Sequence, residues 1–247
     1  MIAYYGVNAP GTLVNVKALV FDTFGTVVDW RSSLIAELGA YGRRRGVVAD
    51  WTLLTDEWRA AYYPSMERVR RGALPWTTLD TLHRQSLEKL VNDLGIEGIG
   101  VDDLDELTGA WHRLHAWPDV LGGMQRLAQR YILGPLSNAN VALLVRMGKF
   151  AGLPWDVILG ADLWQRYKPD PEAYQGACRL LDLHPSEVML VAAHNYDLRA
   201  AQGQGICTAF IPRPTEYGPR QSKDFEAEEA WTVIASDLQD LARLLSA

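Results

Sequence analysis

The chain has 247 residues, 24 Lys and Arg against 30 Asp and Glu, and a formal net charge of -6. A chain of that length buries a substantial core without metal or disulfide support and suits one large domain or two modest ones. An acidic balance with no long basic run excludes a nucleic-acid or anionic-membrane surface as the first expectation. No stretch approaches the roughly 20 apolar residues of a membrane span. The hydrophobic share of 48% with 22% charged residues is that of a folded protein rather than a disordered one. The start, MIAYYGVNAPGT, has neither a basic nor a long apolar region, so no secretory signal is expected. Only Cys178 and Cys207 are present. Two cysteines fit a reducing compartment, and the chain reads as a soluble cytoplasmic protein.

Residues 16–21 (VKALVF) form a short apolar run that ends in Asp22 and a turn at Gly25. Residues 32–116 then show helical periodicity, as in Leu34, Ile35 and Leu38, in Trp58, Ala61 and Tyr62, and in Leu82, Leu87, Leu90 and Leu94. Further apolar runs follow at 131–136, 156–159, 188–193 and 207–211, each ending near a polar or turn residue. Helical faces lie between them, Val120, Met124, Leu127 and Ala128 on one and Tyr174, Ala177, Cys178 and Leu181 on another. Alternation of this kind predicts a doubly wound, mostly parallel α/β sheet. Pro135 removes a ladder hydrogen bond from its strand and suggests a bulge. The helical stretch inserted after the first strand is expected to form a cap domain (32–116) over a Rossmann-like core (1–31 and 117–247). Residues 218–229 are polar and read as a surface loop.

A lone Asp after a strand is most often a turn residue. Here three more strand ends carry polar groups, namely Ser137-Asn138, Lys168, and His194 with Asp197. Parallel strands bring such ends together into one constellation.

The order Phe21-Asp22-Thr23-Phe24-Gly25-Thr26, Leu136-Ser137-Asn138, Lys168-Pro169-Asp170, then VAAHNYDLRAA at 191–201, resembles the four motifs of the haloacid dehalogenase superfamily. Most of that superfamily are magnesium-dependent phosphotransferases with a second Asp two residues after the first and an acid at the start of the fourth motif. This chain has Phe24 and Ala193 there. A hard cation needs several oxygen ligands, so the pattern is closer to the L-2-haloacid dehalogenase branch, whose halide leaving group needs no proton.

That resemblance implies an Asp22 nucleophile, held ionised by Lys168 and hydrogen-bonded by Thr26. It implies a substrate carboxylate at Ser137, and a halide near Asn138 and the cap residue Arg59. Phe24, Tyr63 and Tyr196 line an apolar pocket, Tyr174 lies close by, and Asp197 pairs with Lys168 or orients the water that hydrolyses the ester. His194 stands where the family has asparagine, and either helps activate water or fills the pocket. The expected substrate is a short 2-halocarboxylate, with haloacetates favoured, no cofactor and no metal. The family's cap-mediated dimers make a second copy of the chain a candidate partner, and the tryptophans around the cap fit a core or dimer face. Two alternatives stand beside this reading: a magnesium-dependent phosphomonoesterase of the same fold, and a non-catalytic anion-binding protein.

Overall fold

A computed structural model of the protein describes residues 15–247, and the reading of the chain's start lies outside them. Strand β1 (Ala18–Phe21) is buried along its whole length and runs into Asp22. At Gly25 the backbone takes φ +87°, a left-handed conformation that a Cβ disfavours. The chain reverses there into β2 (Val28–Asp29) and enters a run of helices: α1 (Trp30–Arg45), α2 (Trp51–Ala60), α3 (Tyr62–Arg70), α4 (Leu79–Asp93) and α5 (Val101–Thr108). Asp29, Asp50 and Thr78 start α1, α2 and α4, their side chains accepting from the N–H groups of Ser32, Leu53 and Thr81. Strand β3 (His115–Ala116) pairs antiparallel with β2. The helical segment therefore leaves and rejoins the rest of the chain through one short ribbon.

Strand and helix alternate from there: α6 (Val120–Leu127), β4 (Ile132–Ser137), α7 (Val141–Ala151), β5 (Leu159–Gly160), α8 (Pro171–Leu181), β6 (Val188–Ala192), α9 (Asn195–Gln202), β7 (Cys207–Phe210), β8 (Val233–Ile234) and α10 (Leu238–Leu244). The sheet is parallel, in the order β5-β4-β1-β6-β7-β8. Helices cover both faces, so side chains on both sides of β1 are apolar. Leu19 and Phe21 join the core formed by α6, α7 and α10, while Val20 joins the one formed by α8 and α9. From β1 the chain builds one side of the sheet and then returns to build the other. The carboxyl ends of β4, β1 and β6 thus flank the switch point, where open α/β sheets bind ligands.

Several local expectations are corrected. Pro135 makes no bulge and stays in register opposite Phe21. Ile132 N–H donates to Lys17 O on the β1 side, and Leu133 N–H donates to Asp156 Oδ2 on the other. Alternation then points the Pro135 nitrogen toward β5, just before the Leu136–Leu159 pairing begins, and the β1 ladder loses nothing. Ser137 ends β4, and Asn140 holds the N-cap position of α7. Asp170 precedes Pro171 at the start of α8, and its carboxylate accepts from Arg70 of α3. The 218–229 segment is not simply surface: Asp224 is buried and accepts from the backbone and side-chain N–H groups of Asn195, at 2.9 and 3.0 Å.

Candidate active site

Asp22 lies at the carboxyl end of the central strand, where its N–H donates to Val191 O of β6 at 3.0 Å. Its side chain is buried, with donors on both oxygens. Lys168 Nζ donates to Oδ1 at 2.9 Å, while Thr26 Oγ1 at 2.8 Å and His194 Nδ1 at 2.9 Å both donate to Oδ2. Thr26 Oγ1 accepts from Ala193 N–H at 2.9 Å, which leaves its own proton for Asp22. Lys168 reaches in from the loop before α8. Its backbone N–H is held by Asn138 Oδ1 at 2.7 Å, and its Nζ donates also to Asp197 Oδ2. Tyr174 packs its ring in the core and donates its hydroxyl to Asp197 Oδ1 at 2.6 Å.

Sequence reasoning missed Glu216. It lies past β7, 1% exposed, and its Oε2 accepts from His194 Nε2 at 2.9 Å. Its Oε1 accepts from Trp30 Nε1 at 3.0 Å and is 3.8 Å from Arg59 Nη2. A Cβ on Gly25 would lie 2.2 Å from this carboxylate, so the glycine turn makes room for it. The one available signal was positional: residues just past β7 emerge on the same sheet edge as Asp22 and His194.

The electrostatics follow from burial and charge pairing. Burial pushes the Asp22 carboxyl up, but Lys168 and His194 more than offset this and hold it far below the usual carboxylate range. Burial pushes His194 down, and Glu216 and Asp22 override it, so the imidazole is held well above its ordinary value. Both ring nitrogens of His194 face carboxylates, so a protonated imidazole donates to each and has no lone pair free, an arrangement that suits a donor better than a general base. Asp197 is raised by burial and by the Asp22 charge in spite of Lys168, and Lys168 is raised by Asp197 and Asp22 against burial.

Arg59 comes from α2 and is 5% exposed, its guanidinium stacked on Tyr62 at 4.3 Å and on Trp30 at 5.2 Å. Its Nη1 has no hydrogen-bond partner among the described residues. Tyr63 of α3 and Tyr196 of α9 pair through their hydroxyls. Tyr63 borders two cavities: one of about 260 Å³ with Arg59, Trp30 and Tyr217, the other of about 280 Å³ with Lys168 and Met66. Phe24 packs edge-on against Trp111 at 5.4 Å and Tyr62 at 6.3 Å. Ser137 is buried, with its Oγ accepting from Ala139 N–H at 3.2 Å. Among the described residues Ser137, Phe24, Tyr63 and Tyr196 make no hydrogen bond to Asp22, whose side-chain partners are Thr26, Lys168 and His194.

A buried carboxylate kept ionised by a lysine is suited to nucleophilic attack. Phe24 cannot protonate a leaving group, which suits a group that departs as a stable anion. Among the described residues no cluster of three or more His, Cys, Asp or Glu is arranged to hold a metal ion.

Comparison with known proteins gives the same pattern. The crystal structure of the L-2-haloacid dehalogenase PA0810 is 55% identical, with TM-score 0.91 over 94% of this chain and 99% of that one. The defluorinating L-2-haloacid dehalogenase Rha0230 is 47% identical, with TM-score 0.91 over 94% and 96% of the two chains. The (S)-2-haloacid dehalogenase 4A of Burkholderia cepacia is 29% identical over 92% of this chain and 99% of its own. The sequence model of the haloacid dehalogenase-like hydrolases matches residues 16–205, and the chain belongs to that family.

Proposed function

We propose that the protein is an (S)-2-haloacid dehalogenase, a hydrolase acting on the carbon–halide bond of short 2-haloalkanoates. The observation that carries this reading is Asp22, ionised between Lys168 and His194, with Phe24 where a proton donor for a poor leaving group would stand. The high identity to chains named L-2-haloacid dehalogenases supports it. Residues 32–116 act as a cap whose Arg59 and Tyr63 close over the sheet edge. Ser137 and neighbouring amides bind the substrate carboxylate, and the unpartnered Arg59 Nη1, with Asn138, receives the halide. The rings of Phe24, Tyr63 and Tyr196 leave a small pocket, which favours haloacetates. No cofactor takes part.

Oδ1 has one donor where Oδ2 has two, so Oδ1 is the freer oxygen and attacks C2 from the side opposite the halogen. The carbon–halogen bond breaks, halide leaves with the electron pair, and an Asp22 ester forms with inversion at C2. Asp197, with its raised basicity, takes a proton from water as the hydroxide adds to the Asp22 carboxyl carbon. The oxyanion builds on Oδ2, in front of Thr26 and His194. Collapse releases the 2-hydroxy acid carrying Oδ1, which regains the proton from Asp197, and the restored Asp22 acid ionises.

The test is halide release from chloroacetate, bromoacetate, fluoroacetate and both enantiomers of 2-chloropropionate in the presence of a chelator. A single turnover in oxygen-18 water accompanies it. Chelator-resistant release, with label entering the Asp22 peptide before the product, is the expected result. Label entering the product first, or undiminished turnover by Asp22→Asn, sinks the proposal.

A further inference from the structure

Glu216 belongs to none of the four motifs, yet it is as buried as the residues that do, and three elements converge on it. Trp30 of α1 donates to it, Arg59 of α2 lies 3.8 Å away, and His194 before α9 donates to it at 2.9 Å. Gly25 keeps its place open. We infer that Glu216 is a positioning residue for ester hydrolysis, keeping His194 a cationic donor to the Asp22 carbonyl oxygen after Asp22 has lost its charge. This rests on the ester reading above.

The charge inventory around His194 gives the reason. Before reaction it faces two carboxylates, Asp22 after β1 and Glu216 after β7. Lys168, on the loop before α8, bonds Asp22, and Asp197 of α9 bonds Lys168. Tyr196 of α9 lies 5.8 Å away, ring to ring, and is bonded to Tyr63 of α3, while Arg59 of α2 lies 3.8 Å from Glu216. Once Asp22 is an ester and the halide has departed, the first carboxylate is neutral. Burial then favours a neutral imidazole, and Glu216 alone holds the second proton in place. A charged donor aimed at Oδ2 matters most at this stage, when the tetrahedral oxyanion forms there.

Glu216→Gln keeps the size and a hydrogen-bonding amide while removing the charge. The expected result in rapid-mix kinetics is an unchanged burst of halide, then slow turnover with ester accumulating on the Asp22 peptide. The slow phase should worsen by about a hundred-fold, the scale of one lost oxyanion donor, as pH rises from about 6 to about 9, where a histidine titrates. The unmodified enzyme should stay flat over that range. His194→Asn should show the same slow step without recovery at low pH. The double variant, in which neither buried charge is left alone, should hydrolyse its ester no more slowly than His194→Asn. If Glu216→Gln slows burst and ester hydrolysis equally and independently of pH, or if the two substitutions add, Glu216 is only structural and the inference falls. If Glu216→Gln does not fold, the double variant and His194→Asn decide: ester hydrolysis that differs between them overturns it. Absence of any ester on Asp22 in the unmodified enzyme counts against the ester reading, a separate outcome.

Discussion

Lys168 is the residue on which two carboxylates depend. It is buried between Asp22 and Asp197, and each is held in a charged cluster that neither could sustain alone. Breaking a buried ion pair by removing one partner costs about 3–5 kcal/mol, because the remaining charge is stranded. In Lys168→Met the two carboxylates face each other without the cation, so Asp22 should move up from its depressed position and the pair should share a proton. A depressed carboxylate contributes stability above its unfolded value and loses it as pH falls through its folded value. Lys168→Met should therefore give a lower melting temperature at neutral pH. Its rate of halide release should fall with acidification at a pH where the parent rate is constant. An unchanged acid limb would show that His194 alone keeps Asp22 ionised. At this scale the sequence was informative where chemistry and position coincide: Asp22, Thr26, Lys168 and Asp197 sit in the four motifs, Tyr174 follows in the helix after Lys168, and all five meet in space. Glu216 was illegible because its loop carries no pattern, and its partners lie far away in sequence, at Trp30, Arg59 and His194.

Elements hold these residues in place through a few close approaches. In the turn between β1 and β2, Gly25→Ala imposes a strained backbone at φ +87° and drives a Cβ into the Glu216 carboxylate. The expected outcome is a loss of kcat with an ester-hydrolysis defect like that of Glu216→Gln, read by the same burst experiment. A variant that merely melts earlier, with intact turnover, would show that the loop can give way. Gly123 in α6 tests packing away from the site. A Cβ there would come within 2.7 Å of the Leu238 backbone oxygen at the start of α10. Gly123→Ala gains about 1 kcal/mol of helix propensity but must push two helices apart, and overpacking of this kind costs about 1–3 kcal/mol. A modest fall in the urea midpoint with unchanged kcat is expected. Elements of this size also decide what is readable. The buried strands β1, β4, β6 and β7 have apolar runs long enough to register, and Pro135 reads as a defect only until its nitrogen is seen to face the short side of β4. The two-residue strands β2, β3, β5 and β8 have too little sequence to show a period, and of these only β5 ends an apolar run, at 156–159.

Across the whole molecule, one apolar core runs from Leu19 and Phe21 of the sheet through Phe24 to Trp58, Leu82 and Trp111 of the helical layer. Its weak point is polar. His83 is 1% exposed and stacks on Trp111 at 4.1 Å, and its two ring nitrogens have no partner among the described residues. Burial pushes it down from 6.5 to about 3, so it enters the fold uncharged. His194 is shifted the opposite way, and the two histidines therefore tilt stability in opposite directions. His194, raised, contributes stability that is present below its ordinary 6.5 and is lost as pH climbs through its folded value. His83, lowered, binds a proton only in the unfolded chain between 6.5 and about 3, so its contribution is lost as pH falls across that window. One proton taken up on unfolding changes stability by about 1.4 kcal/mol per pH unit. His83→Phe keeps the aromatic stack and removes this proton. Its urea midpoint should fall less steeply than the parent's between about pH 6 and pH 4, the window set by an imidazole titrating only when unfolded. Parallel slopes for the two proteins would shift the acid sensitivity to the buried carboxylates Asp22 and Glu216 and the half-buried Asp119, all held below their ordinary values by cationic partners against burial. Because Phe24 packs edge-on against both His83 and Trp111, acid that charges His83 should loosen the packing of the helical layer on the sheet before Asp22, held far lower, is protonated.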